Sequence, residues 1–169
     1  MVDASTYIRR GHPISFGVLV LVSLIVAIIA SALTHDYRQG NRAANETAQG
    51  LKDKVHFHVF IGWFSFLFSS IYLGCFLAGV GGILTSIASH LIFLFVNWIF
   101  WVAAAGSITA QLNGGQNCGT SPLYYCNSLE ALMAFDWIAF ILVTIMLGVT
   151  IFIGAGAFRR GRSMKDEIA

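Results

Sequence analysis

The chain has 169 residues, 57% of them hydrophobic and only 11% charged, with a formal net charge of +2. A water-facing domain carries about 45–50% apolar and about 25% charged residues, so most of this surface must meet something other than water. The mild positive balance, with no basic stretch interleaved with base-stacking aromatics, excludes a nucleic-acid partner.

A spanning helix requires roughly 20 mostly apolar residues, because the hydrocarbon core is about 30 Å thick. The first such run, 14–33, is uncharged. Arg9 and Arg10 precede it and Ala30-Ser31-Ala32 closes it, a pattern shared with secretory signals. The run exceeds the roughly 7–15 apolar residues of a signal, which favours a retained span. A polar connection over 34–56 holds most of the internal charges. The second run, 57–78, is again uncharged, and a Gly-rich turn over 79–84 leads into the third, 85–110, which contains His90 and Asn97. The connection 111–128 is broken by Gly114-Gly115 and Pro122 and carries Cys118 and Cys126. The fourth run, 129–158, has Glu130 and Asp136 near its start. The short turn makes the second and third runs an antiparallel hairpin. Backbone polar groups in lipid must be satisfied within the segment, so the runs are helices and not alternating barrel strands. The expected fold is an all-α membrane protein, an antiparallel four-transmembrane-helix bundle forming one domain over 1–169.

Four spans leave both termini on one side. That side holds Arg9, Arg10, Arg159, Arg160, Arg162 and Lys165, whereas the last connection has no Lys or Arg and the first dilutes its basic residues with Asp36, Glu46 and Asp53. The positive-inside rule puts the tails 1–13 and 159–169 in the cytoplasm and the loops 34–56 and 111–128 outside or in a lumen. Asn45-Glu46-Thr47 is then a glycosylation candidate on the correct side. On the same oxidising side, a disulfide between Cys118 and Cys126 is expected.

Polar groups inside a bilayer are costly and functional by default. Three stand out: His90, Asn97 and Asp136. His90 and Asn97 share a face of the third helix with Ser86, Trp101 and Ala104, and Asp136 shares one with Phe140 and Thr144. Asp136 lies roughly 10 Å inside the outer end of its span, and His90 lies on the order of 20 Å from it along the axis, so the two do not pair. The leading reading of Asp136 is a carboxyl hydrogen-bonded to indole or hydroxyl groups, holding helices together. The competing reading is an ion or ligand role. His56 and His58, two apart and on different faces, read as interfacial residues. Small residues recur every fourth position at Ser23, Ala27 and Ser31 and at Ser65 and Ser69, as close helix approach requires. Cys75 reads as a small buried thiol. Arg159, Arg160, Arg162 and Lys165 are candidate contacts for anionic lipid headgroups, at about 1 kcal/mol each. There is no phosphate loop, nucleophile elbow, paired carboxylates or metal-ligand spacing, so neither enzyme chemistry, a metal nor a cofactor is implied.

Three stretches resemble the MARVEL-domain family of tetraspan membrane proteins, in its fungal type. They are RRGHPISFGVLVLVSLIVAIIASAL at the first span, NWIFWVAAAGSITAQL at the third, and NGGQNCGTSPLYYCNSLEALMAFDWIAFIL joining the third to the fourth. The third span ends in an aromatic group followed by small residues, and a two-cysteine loop and an ALxAF-like start to the fourth span come next. A claudin-like pattern fits less well, since its cysteine pair lies in the first extracellular loop, which here has none. The resemblance implies a non-enzymatic four-helix bundle with cytoplasmic termini. It also implies a role in membrane apposition, trafficking or microdomain organisation, with membrane lipids, sterol among them, as partners. A homo-oligomer or association with other membrane proteins is expected, in the plasma membrane or secretory-pathway membranes. The runner-up is a small transporter or channel component, or an accessory subunit of a larger complex. A transporter should show inverted repeats or spans broken at mid-membrane. Pro13 and Pro122 fall outside the expected spans.

Overall fold

A computed structural model describes residues 4–39, 46–79, 87–115, 117–119 and 125–159. The chain forms α1 (Ala4–Gln39), α2 (Glu46–Leu77), α3 (Ile87–Gln111) and α4 (Cys126–Arg159). All four are long and apolar enough to cross a membrane. Large apolar side chains such as Ile14, Leu21, Ile28, Leu67, Ile92 and Phe152 point outward. That arrangement is stable only against acyl chains, since no soluble monomer leaves so much aliphatic surface wet.

The helices form a square. α1 packs along α2 and α4, and α3 along α2 and α4, while the backbones of the diagonal pairs stay apart. Neighbours run antiparallel. Phe16 of α1 meets Tyr72 of α2 near one end of the bundle, and Tyr37 meets Tyr125 at the other. Between α3 and α4 two indoles cross in opposite senses: Trp98 Nε1 donates to Thr144 Oγ1 and Trp137 Nε1 to Thr109 Oγ1, each at 3.0 Å. The α2–α3 seam is filled by rings, with Phe64 between Phe93 and Phe100 at centroid distances of 6.4 and 5.5 Å.

The helices outrun the lengths that hydropathy sets. The loop expected over 34–56 is mostly helical, because α1 continues to Gln39 and α2 begins at Glu46. The expected tail 1–13 is likewise helical from Ala4, which puts Pro13 inside α1. Charge ends an apolar run but not a helix: Lys, Arg and Glu are good helix formers once the chain leaves lipid. α1, at 36 residues, is about 54 Å long by its rise per residue, well beyond the hydrocarbon core. The turn after α2 is described only as far as Gly79, whose φ of 63° gives the left-handed cap that glycine adopts without strain. α3 ends similarly, with Gly114 (φ 88°) donating its N–H to Thr109 O at 2.9 Å. Asn45, Ser86, Arg160, Arg162 and Lys165 lie outside the described residues, and of Arg159 only the backbone is described.

Some hydroxyls on the apolar helices are satisfied locally. Ser23 donates to Leu19 O at 2.6 Å and Thr150 to Met146 O at 2.8 Å, each one turn back. The small-residue stripes sit inside the bundle: Ser23, Ala27, Ser65 and Ser69 are all fully buried. α1 and α2 approach most closely at Gly62, where an added Cβ would lie 2.7 Å from Ala27 N and 2.8 Å from Ala27 Cα. Backbone cannot move aside as a flexible side chain can. Gly62→Ala is therefore expected to destabilise the bundle by about 1–3 kcal/mol, the usual cost of overpacking. Reversible unfolding in mixed micelles measures this. Gly74→Ala, whose added methyl meets open space, should stay within about 0.5 kcal/mol.

Candidate functional site

The inner face of α2 carries Lys54, His58, Ser65, Ser69 and Tyr72 at helical spacing. Facing it, α3 presents His90, Asn97, Trp101 and Ala104, and α4 presents Asp136. His58, Ser65, Ser69, Asn97, Trp101 and Asp136 are all fully buried. Together they form a polar seam through the bundle. At its rim, Lys54 Nζ donates to Gln111 Oε1 at 2.7 Å. Next come His58 and Asp136, then Ser65 Oγ donating to Asn97 Oδ1 at 2.5 Å. At the far end, Tyr72 bonds Ser89 and packs edge-on against His90, with ring centroids 4.7 Å apart.

The central contact is between His58 Nε2 and Asp136 Oδ2, at 2.8 Å, with both side chains fully excluded from solvent. On its other side the imidazole meets Lys54 O through Nδ1 at 2.6 Å. A carbonyl only accepts, so Nδ1 carries a proton. The second bond then needs a further proton between Nε2 and Oδ2. Either an imidazolium donates to a carboxylate, or a carboxylic acid donates to a neutral ring. In both forms the pair as a whole is neutral, which is what a low-dielectric interior demands.

This arrangement corrects two expectations. His58 is not interfacial. Because α2 starts at Glu46, His58 lies more than three turns into the helix, while His56 is exposed. Asp136 bonds an imidazole and not an indole or hydroxyl; Trp101 Nε1 and Asp136 Oδ1 have no hydrogen-bond partner among the described residues. The signal that points to His58 is the spacing His58, Ser65, Ser69 and Tyr72, a polar seam on an otherwise apolar helix. His90 lies at the opposite end, with Phe16 and Tyr72 around it, and Asn97 sits between the two ends.

Cys118 and Cys126 are placed as a disulfide pair with Cα atoms 5.5 Å apart. Cys126 is the first residue of α4, so the bridge holds the loop to that helix. Glu130 brings a carboxylate oxygen within 4.8 Å of the two sulfurs, but a disulfide leaves no thiolate to ligate a metal. Cys75 is half-buried and unbridged.

Residues 8–149 match the family model for MARVEL, described as a membrane-associating domain. The chain belongs to the MARVEL family. No curated protein and no solved structure matches it. In this MARVEL domain the buried seam lies inside the matched region, so the His58–Asp136 pair is part of the domain and not of an appendage.

Breaking a buried pair leaves an uncompensated group, which costs about 3–5 kcal/mol in soluble proteins. Hydrogen bonds between transmembrane helices average about 0.6 kcal/mol, because the unfolded chain in lipid finds other partners. Asp136→Ala in this MARVEL domain is expected to fall between, at about 2 kcal/mol, by unfolding in mixed micelles. Replacing both members, His58→Leu with Asp136→Leu, should recover most of the loss, since no polar group is then stranded.

Proposed function

We propose that this MARVEL protein organises membranes laterally and performs no chemistry, scaffolding microdomains or assisting trafficking through lipid and helix contacts. The observation that carries this reading is the partition of its surface. Buried polar side chains within the spans face the bundle interior, and the large side chains exposed on the outside of the spans are aliphatic and aromatic. An outward face of that kind is available for acyl chains, for sterol and for other helices. Its partners are then membrane lipids and copies of itself or of other membrane proteins.

The charge distribution supports cytoplasmic termini, with the Cys118–Cys126 loop and Asn45 outside or in a lumen, in the plasma membrane or secretory-pathway membranes. Arg159, Arg160, Arg162 and Lys165 then lie at the cytoplasmic headgroups. In intact cells or sealed vesicles, a membrane-impermeant thiol reagent should label Cys118 and Cys126 only after reduction. Labelling before reduction counts against the bridge. For protein at the surface of intact cells, labelling that appears only once the membrane is opened reverses the topology. A glycosidase-sensitive mobility shift, lost in Asn45→Gln, checks the same orientation independently.

A second reading, a subunit of a transport complex, is favoured by one feature only, the ionisable pair inside the spans. Cross-linking in native membranes separates the two. The organising role predicts homo-oligomers and a variable set of neighbours with co-purifying sterol. A single transporter or synthase recovered in fixed stoichiometry replaces it.

A further inference from the structure

We propose that the His58–Asp136 pair is a proton-binding site that regulates the bundle: one bound proton ties α2 to α4, and a second loosens the tie. The argument rests on atom counting. With Nδ1–H fixed on Lys54 O, one proton between Nε2 and Oδ2 makes the bond. A further proton has a single place to go, Asp136 Oδ1, which is buried and has no hydrogen-bond partner among the described residues. Protonated there, the site holds an imidazolium facing a neutral acid and an O–H with nothing to accept it. A buried net positive charge replaces a neutral pair, and both changes are costly in an apolar interior.

Among the described residues nothing charged nearby compensates. On α1, Ala30 and Leu33 are buried, and its titratable and charged groups at that end, His35, Asp36, Tyr37 and Arg38, lie farther out along the helix. On α2, the Lys54 ammonium lies a turn outward, bonded to Gln111, and is itself positive. On α3 the ring meets the Ala104 backbone, and the neighbouring positions Trp101, Ala105 and Ile108 are buried and uncharged. On α4 the nearest other acid, Glu130, is six residues toward the loop.

The tie matters because it spans a diagonal. The backbones of α2 and α4 do not otherwise approach, so weakening this bond lets them part while the α1–α2 and α3–α4 pairs keep their own contacts. The ring also meets the Ala104 backbone, which belongs to α3 and not to α4.

The test is hydrogen–deuterium exchange of the full chain in phosphatidylcholine nanodiscs, between about pH 7.5 and about pH 5, corrected for intrinsic exchange. The comparison is His58→Gln combined with Asp136→Asn, in which two amides keep a hydrogen bond that cannot titrate. The expected result is at least about threefold faster exchange at acid pH around His58 and Asp136 in the wild type, and none in the double variant. No acid response in the wild type overturns the proposal, and so does an equal response in the double variant. If the double variant does not fold, nuclear magnetic resonance of the wild type decides. The His58 ring nitrogens or the Asp136 carboxyl carbon must report proton uptake over the interval in which exchange changes. If neither moves, the proposal fails.

Discussion

A bilayer offers no water to an interior polar group, so each such group has to be satisfied by the protein itself. His58 and Asp136 meet that demand across a diagonal of the bundle. α2 and α4 stand at opposite corners, and an imidazole reaching a carboxyl joins them. This bond also sets how α2 is rotated. With His58 inward, helical spacing turns Ser65 toward Asn97 and Tyr72 toward His90. The same rotation lays Gly62 against Ala27 and sends Phe60 and Phe64 into the seam with α3.

Three of the four interhelical seams show how differently they are built, and the differences have mechanical consequences. α1 and α2 touch backbone to backbone at Gly62, a contact with no slack. α3 and α4 are held by two indole–hydroxyl bonds pointing opposite ways, which resist sliding in either direction. The α2–α3 seam combines phenylalanine rings with side-chain hydrogen bonds from Lys54 to Gln111, from Ser65 to Asn97 and between Tyr72 and Ser89. The α1–α2 and α3–α4 pairs are thus joined by rings and by polar side chains together. Two ties cross between those pairs on the diagonals: His58 to Asp136 at one end, and Phe16 against His90 at the other.

The number of spans was legible because membrane thickness is written into sequence as run length. The MARVEL resemblance was legible because the family pattern covers most of the chain. Helix ends were not, since Lys52 and Lys54 lower hydropathy while favouring helix. That one displacement hid the site. A second helix beginning near Phe57 leaves His58 at the interface, whereas one beginning at Glu46 carries it to the depth of Asp136. Asp136 stood out by itself because a carboxyl in an apolar run has few explanations. A histidine near a span end has many. What was missing was the partner, and a partner on a diagonal helix belongs to tertiary geometry that no local pattern records.

A buried ionic pair is weak support for stability, because its desolvation cost offsets most of its attraction. Leucines at both positions would hold the same space. What a hydrophobic pair would not supply is dependence on a proton count. The surrounding residues sharpen that dependence. Trp101, Ala104 and Ala105 are fully buried and uncharged, so their side chains do not screen the pair. Asn97 Nδ2 and Trp101 Nε1 have no hydrogen-bond partner among the described residues, and as donors neither can accept from a protonated Asp136. Among the described residues, no acceptor meets Asp136 Oδ1. An apolar shell also makes each change in charge state more costly than it is in water. The same scarcity of partners that makes the tie marginal for stability makes it selective for one protonation state.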